Sequence, residues 1–271
     1  MDLRSKNVQL QYQGYINTPL LWKNHAVLGL KQLELSKQNT INFDESIPTN
    51  LLLGKRVERF VHAELQHYEK IKILLKNAQI QNQKITIGEI DCILKLDEMP
   101  VHLEIIYKFY LYDSRIGNTE IDHWIGPNRN DSLLKKLNKL KDKQLPLIYN
   151  AHTKSILDKL NLNADQLQQR VYFKAQLFTP YKVIVNFKRL NKECISGFYI
   201  HFSEIEQFSD CKFFMPIKVD WLIEVQSHVD WLVYNQFYKK ITPIINDKIA
   251  PLCWIKFPNG SVQKFFVVWW V

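Results

Sequence analysis

The chain has 271 residues of which 46% are hydrophobic, enough for a full core organised as one large domain or as a core with a smaller appended one. Lys and Arg number 36 against 27 Asp and Glu, a formal charge of +9, which favours an anionic partner, nucleic acid ahead of a membrane surface. The polar N-terminus lacks an apolar signal core, and the longest uncharged apolar run, Phe265 to Val271, is too short to cross a bilayer.

Residues Pro19 to Lys37 carry Leu20, Leu21, Ala26, Val27, Leu30 and Leu33 at mostly helical spacing, which predicts a packing helix. After a polar connection containing Pro48, a second helix is expected from about Thr49 to Asn77. On it Gly54, Glu58, Val61 and Leu65 follow one line, so Glu58 sits in or beside the apolar stripe and needs a partner.

Lys84 to Tyr110 reads as two strands joined by the turn Asp97-Glu98-Met99-Pro100. Strand side chains alternate faces. Ile90, Cys92, Leu94 and Leu96 therefore share one face of the first strand, and Glu89, Asp91, Ile93 and Lys95 the other. In the second strand Val101, Leu103, Ile105, Tyr107 and Phe109 form an apolar face, with His102, Glu104, Ile106, Lys108 and Tyr110 behind it.

If four residues close the turn without a bulge, Leu96 pairs with Val101 and Asp91 lies opposite Ile106. Asp91 is then diagonal to both Glu104 and Lys108, about 7 to 8 Å from each. Two carboxylates that close repel unless a cation sits between them. An all-oxygen pair suits a hard ion such as Mg²⁺ (or Mn²⁺). A neighbouring lysine would orient or deprotonate an attacking water, or neutralise charge building on a phosphoryl oxygen. The same pattern also fits an antiparallel hairpin with one wet face, its charges merely solvated.

Asp113 to Asn130 is expected to be irregular, with Gly117, Gly126 and Pro127 as breakers. Asp131 and Ser132 are cap residues for the helix that follows. Leu133, Leu137, Leu140 and Gln144 share one line of it, while Lys135, Lys136, Lys139 and Lys143 group on another side and Arg129 precedes its start. Such a face either tracks a nucleic-acid backbone, with the helix start offering N–H groups to phosphate, or is solvated. Leu145 to Tyr149 is short and apolar, which predicts a buried strand completing a mixed α/β sheet.

Thr153 to Arg170 reads as a helical connection. Strands rich in aromatics are predicted at 171–178, 183–187, 197–202 and 213–219, a helix at 226–240, and a closing hairpin at 254–257 and 262–270 around Pro258-Asn259-Gly260. The expected division is a 1–150 core with N-terminal helices and a 151–271 β/α region, either separate or packed with the core. Its tryptophans either fill a core or stack on bases. Cys92, Cys194, Cys211 and Cys253 form no C-x-x-C pair and no zinc spacing with histidine. Reduced thiols in a cytoplasmic protein fit best.

Gly88-Glu89-Ile90-Asp91, a β-turn and then Val101-His102-Leu103-Glu104 resemble the G-E-x-D … v-x-v-E-x-K core of the PD-(D/E)XK nuclease superfamily. The wider chain resembles the bacterial family known as domain of unknown function 1853, especially at Leu103 to Tyr110, Trp124 to Asn128 and Gln144 to Leu147. The resemblance implies a restriction-endonuclease-like mixed sheet flanked by helices, with an α+β C-terminal extension. It implies an endo- or exonuclease that uses Mg²⁺ or Mn²⁺ to hydrolyse phosphodiester bonds in DNA, ahead of RNA.

In that reading Asp91 and Glu104 hold the metal, helped by the main-chain carbonyl of Ile105. Glu58 matches a helix glutamate that hydrogen-bonds metal water or ligates a second ion. Gln144 matches a helix glutamine near related sites, and Glu89 and His102 are accessory candidates. One departure is plain: Ile106 occupies the motif's lysine position, and the lysine is Lys108. Two further strand residues move its Cα roughly 7 Å on the same face, comparable to a lysine's reach, so Lys108 is the catalytic candidate. The departure also opens an alternative, a nuclease-like scaffold that binds nucleic acid or protein without cutting.

Overall fold

In the computed structural model, residues 3–36 and 42–270 are described. The helices and strands run α1 (Leu3–Asn17), α2 (Leu53–Gln66), β1 (Ile71–Asn82), β2 (Ile85–Leu96), β3 (Met99–Tyr112), β4 (Trp124–Ile125), α3 (Leu133–Lys139), α4 (Lys154–Lys159), β5 (Gln168–Pro180), β6 (Ile195–His201), β7 (Lys212–Phe214), β8 (Leu232–Val233), α5 (Tyr234–Asn246), β9 (Leu252–Lys256) and β10 (Val262–Val268). Between α3 and α4 the chain continues through a π-helical turn, Leu140–Gln144, and a 3₁₀ turn, Leu145–Tyr149.

The class is mixed α/β: the ten strands join in the order β1-β2-β3-β5-β6-β10-β9-β7-β8, with β4 on β3. The β5/β6 and β6/β10 pairs are parallel, while β1/β2, β2/β3 and β9/β10 are antiparallel. Among the described residues no helix is long and apolar enough to cross a membrane.

Several predicted elements are corrected. No helix forms in the described part of 19–37. Asn24, Leu28 and Gly29 adopt positive φ there, which interrupts helical continuity. The segment instead lies along β5, through bridges Leu20↔Lys174 and Gln32↔Val171 and a hydrogen bond from the Leu21 N–H to the Phe173 carbonyl at 2.8 Å.

The expected 49–77 helix stops at Gln66. Ile71 onward is strand β1, which pairs with β2 from Ile71↔Leu96 to Asn82↔Ile85 with register shifts after Ile73 and after Ile80. Leu145–Tyr149 is a 3₁₀ turn rather than a strand, since Pro146 has no N–H for a ladder, yet Leu145, Leu147 and Ile148 are buried as a strand's apolar face would be. No strand forms at 183–187. The helix expected at 153–170 contracts to α4, and the one expected at 226–240 lies later, at α5.

The chain divides into two compact units, each assembled from separated segments. One comprises 20–107 and 135–174. Its apolar core includes Ile80, Ile90, Ile93, Leu147, Ile148 and Leu157. The other comprises 1–19, 108–134 and 175–271, and its core is aromatic. Phe213 stacks on Phe237 with ring centroids 4.2 Å apart, and Phe198 on Phe265 at 5.5 Å. Trp254 and Trp270 are buried there. All four cysteines are free and buried.

The central strands of the aromatic unit meet at Gly197, which pairs with Phe178 on one side and Lys264 on the other. A Cβ at this position would lie 2.0 Å from the Lys264 carbonyl oxygen. Backbone cannot yield there as a flexible side chain would. Gly197→Ala is expected to lower unfolding stability by about 1 to 3 kcal/mol, as overpacking does, read by urea denaturation. An unchanged midpoint would show that the strands separate at no cost.

Candidate active site

The β2–β3 hairpin closes more tightly than its composition suggests. Leu96 pairs with Met99, so Asp97 and Glu98 alone make the turn, and the ladder runs back to Cys92↔Leu103. Asp97 adopts φ 51° and its N–H donates to the Lys70 carbonyl at 2.7 Å. Aspartate tolerates this left-handed conformation better than most residues. The expected Leu96/Val101 register is therefore corrected by two residues. An even slip leaves every side chain on its predicted face, but it changes who sits opposite whom. Counting on from Cys92↔Leu103 brings Asp91 level with Glu104 instead of Ile106.

The ladder ends at that point. Asp91 Oδ2 accepts the Ile105 N–H at 2.9 Å, so a side-chain carboxylate satisfies a main-chain donor that the strand pairing leaves open. Glu104 is 0% exposed. Its Oε1 lies 3.2 Å from His102 Nε2, and its Oε2 accepts from Gln144 Nε2 at 2.5 Å. Gln144 Oε1 in turn accepts from Lys136 Nζ at 2.7 Å.

Burial dominates the charge state of these groups. It pushes Asp91 up to about 7, with the neighbouring Glu104 charge adding to the shift and the Ile105 N–H opposing it. It pushes Glu104 up to about 7 as well, against the pull of the Lys136 cation and of hydrogen bonding with Asp91. Burial lowers His102 to about 4, so its imidazole is neutral. The tautomer protonated at Nε2 then donates to Glu104, and Nδ1 has no hydrogen-bond partner.

A second acidic group approaches from α2. Lys55 Nζ bridges Glu58 Oε2 at 2.9 Å and Glu89 Oε1 at 2.7 Å, and Asn77 Nδ2 also donates to Glu58. Burial raises the Glu58 carboxyl above its ordinary value, and the Asp91 charge adds to the shift. Glu58, Glu89, Asp91 and Glu104 thus share one electrostatic neighbourhood, with Lys55 and Lys136 as its cations.

Among the described residues no group of three or more His, Cys, Asp or Glu gathers tightly enough to hold a metal by itself. That donor set does not suit zinc held by four protein ligands. The residues that could hold a hard divalent ion, which takes one or two carboxylates and keeps several waters, are Asp91 and Glu104. One buried and one partly buried carboxylate, each raised in pKa, are the pair such a cation would relieve.

The remaining predicted residues fall elsewhere. The Lys108 ammonium is paired with Asp131 Oδ2 at 2.6 Å. Arg129 pairs with Asp113 Oδ2 at 3.0 Å and lies 4.8 Å from the centre of the Trp270 ring. Lys135, Lys139 and Lys143 are exposed. Lys136 leaves this face. A π-helical turn advances less per residue than an α-helix, so Leu140–Gln144 swings Gln144 off the leucine line toward Lys136. Asn77 was invisible to sequence reasoning because its strand reads as the end of a helix.

The fold and site define a mixed α/β protein with a close acidic pair, one member fully buried, where a hairpin ladder ends. The chain belongs to the family described as Domain of unknown function (DUF1853), whose model matches residues 9–267. No curated protein and no solved structure matches it.

Asp91 and Glu104 both have folded pKa values above their ordinary 3.8 and 4.5. Their contribution to stability is therefore complete below about pH 4 and is lost as pH rises through about 7. In metal-free buffer, Asp91→Asn keeps an acceptor for the Ile105 N–H and removes the charge. Its melting temperature should exceed that of the wild type by a margin that grows from pH 4 to pH 8, at roughly 2 to 4 °C for each kcal/mol recovered. A margin independent of pH would contradict the burial argument.

Proposed function

We propose that the chain is a divalent-metal-dependent phosphodiesterase with a restriction-endonuclease-like core of the PD-(D/E)XK type, cleaving DNA in preference to RNA. The observation that carries this reading is the convergence of Asp91 and Glu104 at the end of the β2–β3 ladder, Glu104 fully buried and Asp91 partly so, each held by its own hydrogen bonds. The net charge of +9 favours a polyanionic substrate, and the exposed Lys135, Lys139 and Lys143 supply cations to follow its backbone. Four buried free cysteines fit a cytoplasmic setting.

A Mg²⁺ or Mn²⁺ ion held by Asp91 and Glu104, with the Ile105 carbonyl, would polarise the scissile phosphate and lower the pKa of an attacking water. The protein's own part is preorganisation. The Ile105 N–H fixes Asp91, and His102 and Gln144 fix the two oxygens of Glu104. Glu58, steadied by Lys55 and Asn77, is an acceptor for a metal-bound water. Outer partners of this kind commonly matter nearly as much as the ligands.

One feature supports a second reading, a scaffold that binds nucleic acid without cutting. Ile106, at the motif's lysine position, is buried and apolar. A single experiment separates the two. Labelled single- and double-stranded DNA is incubated with protein and Mg²⁺, Mn²⁺ or EDTA. The nuclease reading expects cleavage that EDTA abolishes. Asp91→Ala and Glu104→Ala should each lose more than the roughly 10- to 100-fold typical of outer partners. Salt-sensitive DNA binding with neither Mn²⁺ uptake nor cleavage would select the scaffold; wild-type rates in both variants would reject the site.

A further inference from the structure

We propose that Lys136, acting through Gln144, is the positioning lysine of the carboxylate site, in the role for which the sequence offers Lys108. The inference rests on the phosphodiesterase reading and names the residues that hold its acidic pair in working order.

A glutamine amide has one accepting oxygen and one donating nitrogen, and a lysine ammonium only donates. The Lys136 bond to Gln144 Oε1 at 2.7 Å therefore sets the direction of the amide and delivers Nε2 to Glu104 Oε2 at 2.5 Å. Without Lys136 the amide is free to turn and bring its oxygen against the carboxylate. The charge itself stays on the ammonium and acts through space on both Asp91 and Glu104. Both residues stand on one continuous helical stretch, and the π-helical turn Leu140–Gln144 brings them to the same side. Such turns recur at functional sites. The Lys108 ammonium, in contrast, is engaged by Asp131 at 2.6 Å, and Ile106 is buried at the motif's own lysine position.

The relay predicts two effects of opposite sign. Lys136→Met removes a cation beside two carboxylates, so Mn²⁺ should bind as tightly as in the wild type or more tightly. Cleavage at saturating metal should nevertheless fall about 10- to 100-fold, the usual cost of an outer partner. Lys136→Arg, which keeps a donor and the charge, should recover most of the rate.

Gln144→Ala should lose a similar factor, and the double variant little more than either single one, because both act through one chain of hydrogen bonds. Mn²⁺ affinity measured by titration calorimetry serves as the readout independent of turnover. A purely structural role would weaken Mn²⁺ binding along with the fold.

The outcomes separate cleanly. Wild-type cleavage that persists at full rate in Lys136→Met overturns the proposal and leaves the nuclease reading standing, as does a rate loss in Lys108→Met with Lys136→Met unaffected. Multiplying losses in the double variant overturn the relay. A wild-type chain that neither takes up Mn²⁺ nor cleaves brings down the reading and, with it, the role of Lys136.

Discussion

The hydrogen bond from the Ile105 N–H to Asp91 Oδ2 is the interaction on which the site depends. A strand ladder that stops leaves main-chain donors open, and a donor unpaired in the interior costs free energy comparable to a lost hydrogen bond. Asp91 meets that requirement with its own side chain. In doing so it is held beside Glu104, at the point where strand pairing ends. Structural need and the proposed chemical use thus fall on one carboxylate.

Two carboxylates in so dry a place would be costly if both were charged and alone. The surroundings offset this in layers. His102 and Gln144 occupy the oxygens of Glu104, Lys136 reaches the pair through Gln144, and Lys55 ties Glu58 to Glu89. What remains is a pair whose pKa values stay high, a state that a proton or a divalent cation resolves. In the proposed reading that cation is a metal ion, since ligand deprotonation and ion binding are linked.

Much of this was legible along the chain. Period-two alternation in 84–110 put Asp91, Glu89, Glu104 and His102 on the right faces, because side-chain direction in a strand is a local property. The line Gly54, Glu58, Val61, Leu65 placed Glu58 at the edge of an amphipathic helix, and Glu58 does need the partner it finds in Lys55. The turn was less legible. Asp97 entering the left-handed region shortened it by two residues, a choice between turn types that composition leaves open. Segments 19–36 and 67–77 misled because their apolar spacing suits a helix, while pairing with distant strands decided otherwise.

By itself the sequence determined the mixed α/β class, the alternating faces of the β2–β3 hairpin and the identity of its acidic residues, all consequences of local periodicity. Tertiary structure alone decided that Asp91 stands level with Glu104, that Lys108 is taken by Asp131, and that a π-helical turn brings Lys136 and Gln144 to the buried pair. Those outcomes turn on register, on competition between partners far apart in the chain, and on one extra fraction of a helical turn. Local periodicity does not decide such a choice.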